Sequence, residues 1–434
     1  MTRQEMIGAK ASGVGADASP ATPTSSAAPV RSGKSIVEFA ERRLELAGGR
    51  FLEGGHPWFR PTDALAMRCK TAGIPYVSFA HYDYLGLGET PALKNAAAAA
   101  LADDGSSAGA SRLVGGERVA HARLETDLAD FLGYEKTLVT ISAYLANASL
   151  IPHLLGRRDM VITDALAHNS LAMGARYARC KHETFAHNDL DALEEVLAAE
   201  RGSVNNVLIC VDALYSMDGD VVDLPRLIEI KKRYGCWLLL DEAHSFGTLG
   251  PTGAGLREAA GVDPADVEFI TGSMSKSLSA SGGFIAAPAT VIEWLRFTLP
   301  SFVYSVGLAP VAVHAAQAAL TGLRREPERL GQLRANARAF AEAARSAGLT
   351  VLGTDGGPVQ AVLFRSMEET LATGAFLEEN GVYAPPIAHV GVPSDAPRIR
   401  FFLTAMHTKA QIDRTVGLLV EATGLAPELR KAAP

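Results

Sequence analysis

The sequence predicts an α/β fold, with a large domain on a mostly parallel sheet and a smaller α+β domain behind it. Three observations carry this prediction. Apolar runs of strand length alternate with helix-patterned segments, as in a layered domain with right-handed crossovers. The runs are continuously apolar rather than alternating, as strands buried on both faces are. Past Pro310 the texture changes to long helical stretches and short strands. With 434 residues, 48% hydrophobic and 21% charged, the chain has material for a large core.

The elements follow in order. Residues 1–33 are rich in Ala, Ser, Gly, Pro and Thr, lack the apolar core of a secretory signal, and read as a disordered extension. Residues 34–94 form an N-terminal segment, where Ile36, Phe39, Ala40, Leu44 and Leu46 recur at helical spacing and Tyr76–Phe79 reads as a short strand. Residues 95–310 form the large domain. Its strand runs are Thr137–Ile141, Met160–Ile162, Asn206–Val211, Cys236–Leu240 and Val267–Ile270, with helices such as 189–199 and 224–234 between most of them. Residues 311–434 form the smaller domain. Helical stretches at 308–321 and about 325–346 lead into strands near 350–353, 359–364 and 398–404. Thr408 caps a last helix over Lys409–Leu419.

Composition removes several function classes. Lys plus Arg total 41 and Asp plus Glu 48, a formal charge of −7 without any long basic run, which argues against nucleic acid or an anionic membrane as partner. A mean hydropathy of +0.10 and the lack of an 18-residue apolar window argue against a transmembrane helix. Cys69, Cys180, Cys210 and Cys236 are far apart and form no CxxC pair. A zinc ribbon or disulfide scaffold is therefore not expected, nor is a metal, and the thiols read as reduced in a cytoplasmic enzyme.

In such sheets, sites gather beyond the carboxyl ends of strands. Cys236–Leu240 ends in Asp241-Glu242-Ala243-His244. The same letters occur in a helicase box, but that reading needs a GxxxxGK[ST] loop, which this sequence lacks. Val267–Ile270 runs into Thr271-Gly272-Ser273-Met274-Ser275-Lys276-Ser277. A desolvated lysine there can form a Schiff base. The stretch also reads as an SxxK acyl-enzyme motif with Ser273 as nucleophile, although the companion SDN and KTG motifs are missing, or as a solvated loop lysine. The pair is sharper than either part. Asp241 precedes Lys276 by 35 residues, about one strand–helix–strand unit, so both fall on one sheet edge. A carboxylate for a protonated pyridine nitrogen and an amine for an aldehyde carbon suit pyridoxal phosphate. Ser142-Ala143-Tyr144 opens a helix after a strand and offers backbone N–H groups to the phosphate, joined by the Ser273 and Ser275 hydroxyls. His168, beyond Met160–Ile162, is the candidate for the ring face, although an isolated histidine is often a helix-surface residue.

Six segments then occur in a telling order. They are Asp83-Tyr84-Leu85-Gly86-Leu87; Gly109-Ala110-Ser111-Arg112-Leu113-Val114; Tyr215-Ser216-Met217-Asp218-Gly219-Asp220; the run from Asp241 to Gly255; Ser275-Lys276; and Arg398-Ile399-Arg400 with Thr404-Ala405 and His407-Thr408. Over roughly three quarters of the chain they resemble the α-oxoamine synthases, which are fold-type I pyridoxal-phosphate-dependent transferases with an aspartate-aminotransferase-like fold. The resemblance implies that Lys276 holds the cofactor and shuttles the Cα proton, and that Asp241 pairs with the pyridine nitrogen. It puts His244 and Ser216 near the ring hydroxyl, His168 on the ring face, and Ala143, Tyr144 and Ser273 at the phosphate. Ser305 would reach the phosphate of a neighbouring subunit, while Arg400 and Asp83 would bind substrate. The implied reaction is decarboxylative condensation of a small L-amino acid with an acyl thioester, carried by CoA or a carrier protein, in a homodimer with shared sites. An aminotransferase on the same fold and a non-catalytic scaffold are the competing readings. Ala143, Ala167, Asn169, Tyr82, Asp83 and Val306 depart from the residues usual in the family, and none of these changes removes a catalytic group.

Overall fold

The computed structural model describes residues 35–46, 58, 68–71, 74–387 and 396–424. The extension expected at 1–33 lies outside the described residues. The chain divides into two units between His56 and Pro57. In the first, the expected helix is Ile36–Leu46. Ser35 and Glu38 open it by reciprocal backbone-to-side-chain hydrogen bonds of 3.0 and 3.1 Å.

All other elements belong to the second unit, and the expected boundaries at 94/95 and 310/311 fall inside it. Its strands are β1 (Arg68–Thr71), β2 (Ile74–Ser78), β3 (Lys136–Thr140), β4 (Met160–Asp164), β5 (Lys181–Phe185), β6 (Val207–Asp212) and β7 (Trp237–Asp241). They continue as β8 (Phe269–Ser273), β9 (Gly283–Ala287), β10 (Val351–Leu352), β11 (Val359–Leu363), β12 (Val382–Tyr383), β13 (Pro386–Ile387) and β14 (Arg398–Phe402).

Seven strands form one sheet in the order β3-β9-β8-β7-β6-β4-β5. Only β9 runs against its neighbours. The predicted double-sided burial is visible residue by residue. Met160, Ile162, Ile209, Val211, Leu238 and Leu240 feed one core cluster, while the alternating Val161, Leu208, Cys210 and Leu239 feed a second. Strands β5 and β9 add to the expected runs. The sequence of β5, Lys-His-Glu-Thr-Phe, is polar because it lies at the sheet edge, half in solvent. Strand β9 is an antiparallel return, which needs only the short loop carrying Lys276 rather than a crossover helix.

Strands β10, β11, β14 and β13 form a second, antiparallel sheet. A third sheet pairs β2 with β12 in parallel, joining residues 77–78 to 382–383. Thr408 caps the helix Lys409–Ala422 in a capping box with Gln411, as expected. Among the described residues no helix is long and apolar enough to cross a membrane.

Candidate active site

Parallel strands deliver their carboxyl ends to one edge. Asp212 closing β6, Asp241 closing β7 and Thr271 in β8 lie side by side in register there. Beyond that edge opens a cavity of about 350 Å³. Ala143, Tyr144, His168, Asp241, His244, Ser273 and Lys276 all line it. Lys276 and Asp241 therefore face one space.

Local structure explains each position. The Ser142 hydroxyl accepts the Leu145 N–H at 3.1 Å and caps the helix Ala143–Leu154, whose first residues line the cavity. Strand β9 begins against that helix end: a Cβ on Gly283 would stand 2.3 Å from the Ala143 nitrogen, so only glycine fits. The Ser273 and Ser275 hydroxyls bond each other at 2.7 Å beside it. The loop after β8 is tight, with Ser279 donating its N–H to the Lys276 carbonyl at 2.8 Å and held at a φ of 46°, in the left-handed region.

The Asp241 carboxylate is buried and aimed. One oxygen accepts the Ala243 N–H at 2.9 Å and the other an Asn147 N–H at 2.6 Å. His168 is held at its backbone, donating N–H to the Asp212 carboxylate at 2.8 Å, and at its ring, where Nδ1 meets the Ser170 hydroxyl at 2.7 Å. His244 Nδ1 lies 2.8 Å from the Tyr84 hydroxyl. The Tyr82 ring stands 5.8 Å from the Lys276 amine.

Electrostatics follow from burial and from neighbours. Burial lowers the Lys276 ammonium below its ordinary range, against the pull of Asp241 and Asp212. His168 is lowered by burial and by the Lys276 and Arg400 charges, with Asp241 opposing. His244 falls well below the ordinary histidine range through burial, then Lys276, Arg400 and His168. Asp212 is raised well above the carboxylate range by burial and by the adjacent Asp241. The site thus keeps one carboxylate fully bonded and holds its imidazoles neutral.

This donor set fits pyridoxal phosphate. A helix N-terminus with two hydroxyls suits a phosphate. The Lys276 amine has no hydrogen-bond or ion-pair partner among the described residues, and a bonded carboxylate shares its cavity.

Four expected residues are not on the cavity wall. Asp83, expected to touch substrate, instead accepts the Leu87 and Gly88 N–H groups at 2.9 and 3.0 Å; both its oxygens close a turn. Ser216 offers its backbone carbonyl to Arg400 at 2.6 Å. Arg400 lies beside the cavity, stacked 4.8 Å over the Phe402 ring, with its Nε buried and unpaired among the described residues. Ser305 lines a separate recess with Arg112 and Phe302. Conversely, Asp212, Asn147, Ser170 and Tyr84 join the site without having been singled out for it. Asp212 directly follows the run Asn206–Val211, so the strand-end rule that found Asp241 also reaches it. Asn147 and Ser170 sit inside helices and carry no such signal.

Comparison with known proteins agrees with this geometry. The family model for aminotransferase class I and II matches residues 74–419. An 8-amino-7-oxononanoate synthase of Geobacter sulfurreducens is 38% identical over 355 residues, covering 81% of this chain and 90% of its own. That of Stutzerimonas stutzeri is 36% identical over 357 residues, covering 82% and 90%. Among solved structures, the serine palmitoyltransferase of Sphingomonas wittichii superposes with a TM-score of 0.86 at 27% identity, over 91% of this chain and 100% of that one. Likeness of this extent, in sequence and in fold together, means that the chain belongs to the aminotransferase class I and II family, among its α-oxoamine synthases.

Proposed function

We infer that the protein is a pyridoxal-phosphate-dependent acyltransferase that condenses a small L-amino acid with an acyl thioester. The products are an α-aminoketone, CO2 and the free thiol. The observation that carries this reading is the meeting of Lys276, Asp241 and His168 in one cavity with a helix N-terminus at its end.

When bound, pyridoxal phosphate withdraws the electron pair left as Cα loses its proton. The chain's own groups do the rest. The Ala143 and Tyr144 N–H groups and the Ser273 hydroxyl would hold the phosphate. Asp241, fixed by Asn147 and Ala243, would pair with the pyridine nitrogen. His168 would stack on the ring and His244 would lie near the ring hydroxyl. Lys276, lowered by burial, spends more of its time as free amine; it would hold the aldehyde carbon of the bound cofactor and would serve as the base that takes the Cα proton. Arg400, whose Nε is buried and unpaired among the described residues, would receive the amino acid's carboxylate. Cα then attacks the acyl carbonyl, the thiolate leaves, the carboxyl group departs as CO2, and a proton returns to Cα.

Ser305 lies away from this cavity, and the reading assigns it to the phosphate site of the partner in a homodimer. Acyl-CoA donors fit a cytoplasmic enzyme, and a carrier-protein donor is the second choice.

The test is a matrix of small amino acids against acyl-CoAs of increasing chain length. Serine with palmitoyl-CoA is included because of the structural neighbour's name. Release of thiol and CO2 together is the expected result. Exchange of amino groups between keto acids, without thiol or CO2, would overturn it in favour of an aminotransferase.

A further inference from the structure

The hydrogen bonds behind His168 leave only one consistent arrangement of protons. Asn147 Nδ2 donates to Asp241 at 2.6 Å and to the Ser170 hydroxyl oxygen at 2.9 Å. Turning the amide over would set its carbonyl oxygen against the Asp241 carboxylate, so the nitrogen must face that way. The orientation leaves Asn147 Oδ1 buried without a partner among the described residues, a cost that the contact with charged Asp241 outweighs. Since the Ser170 oxygen accepts from Asn147, its single proton has one remaining acceptor among the described residues, His168 Nδ1 at 2.7 Å. The Ser170 backbone N–H points at the same ring nitrogen, at 3.3 Å. Two donors converge on Nδ1, so it carries no proton. The proton of the neutral ring must sit on Nε2.

We propose that Ser170 and Asn147 are positioning residues that lock His168 as its Nε2–H tautomer and tie that lock to the Asp241 carboxylate. Both are buried, Ser170 at 1% and Asn147 at 0% exposure, so protein groups supply the partners of their side chains. Protonating Nδ1 would turn it from acceptor to donor. It would then face the Ser170 N–H and strand the Ser170 hydroxyl proton with no acceptor in the interior. The relay therefore opposes the imidazolium form, in the same direction as the burial and positive neighbours of His168. Its effect is a constant N–H donor on the side of the ring away from Ser170, in the proposed reaction available to the substrate's carboxylate or the oxygen that gains charge. That last step rests on the proposed function; the tautomer itself does not.

The test is ring-nitrogen NMR of the histidine-labelled holoenzyme, with the His168 signals identified by their loss in His168→Gln. The expected result is an unprotonated Nδ1 and a protonated Nε2 throughout the neutral range. Ser170→Ala removes the hydroxyl donor, so the His168 pKa should rise by roughly one unit, and the acid limb of the thiol-release pH profile should move up with it. Ser170→Thr, which keeps the hydroxyl, should restore both. A wild-type His168 with its proton on Nδ1 overturns the proposal, and that measurement needs no variant to fold. So does a Ser170→Ala enzyme that is less stable but keeps the wild-type tautomer and acid limb. An enzyme with the expected tautomer that releases no thiol with any acyl-CoA or carrier-protein thioester supports the lock while removing the proposed reaction.

Discussion

Two histidines on either side of β5 in the chain are treated in opposite ways. His168 faces the cavity, and the partner of its ring is a hydroxyl that donates. His187 faces carboxylates on both sides, with Nδ1 2.9 Å from Asp164 and Nε2 3.0 Å from Asp220. Burial lowers both. At His187 the two carboxylates outweigh burial and push the pKa up to about 9, whereas at His168 burial wins. Around His187 the neighbours complete the cage. Asn188, at a φ of 52°, donates its backbone N–H to Asp164 at 2.8 Å and its amide to Asp220. His187, Asp218 and Asp220 stand close enough together to suggest a metal centre. However, both ring nitrogens of His187 are engaged and Asp218 is paired with Arg398. The difference teaches that one residue type serves chemistry where its partner donates and leaves it neutral, and serves the fold where its partners accept and keep it charged.

The comparison predicts that changes on the cavity side remove chemistry and leave the fold, while changes around His187 do the reverse. The largest effect is expected for Lys276→Ala. Turnover should fall by roughly 10⁴-fold, the visible absorbance of the lysine-bound cofactor should vanish, and the melting temperature of the cofactor-free protein should stay near wild type. A variant that keeps the wild-type spectrum would remove Lys276 from its role.

Next is His187→Gln, which should lower stability by about 2–3 kcal/mol near pH 6. The sign follows from the direction of the shift. A folded pKa of about 9 lies above the ordinary 6.5, so the extra stability is complete below the ordinary value and disappears as pH rises through about 9. Denaturant midpoints of variant and wild type should converge at high pH, and a gap independent of pH would break the comparison. Arg400→Lys keeps the charge but loses the planar fork, so KM for the amino acid should rise by about 10- to 100-fold with kcat less affected. The smallest effect belongs to a residue on both sides of the divide. Ser142→Ala removes a helix cap beside the phosphate end, costing about 1 kcal/mol of stability with only a modest weakening of cofactor retention.

Much of the fold was legible because buried parallel strands must be apolar throughout. The expected runs at Thr137, Met160, Asn206, Cys236 and Val267 became β3, β4, β6, β7 and β8, with ends shifted by a few residues. Polar β5 was missed because an edge strand needs no apolar run, and β9 because a strand of five residues, three of them Gly or Ala, carries little pattern. At the site, Asp241, Lys276 and His168 were legible since each follows a strand whose end must lie at the sheet's open edge.

What the sequence determined by itself is therefore the layered α/β order, the strand ends, and the lysine and carboxylate that gather there. It did so because period and polarity are local properties of a chain. Only the tertiary structure decided what each polar group does. Asp83 had its oxygens taken by two backbone N–H groups, while Asn147 from within one helix and Ser170 from the first turn of another came into contact with Asp241 and His168. The partner of a side chain, and hence its proton count, depends on distances between residues far apart in sequence: Asn147 and Asp241 are 94 positions apart and 2.6 Å from contact to contact. No local pattern along the chain encodes that meeting.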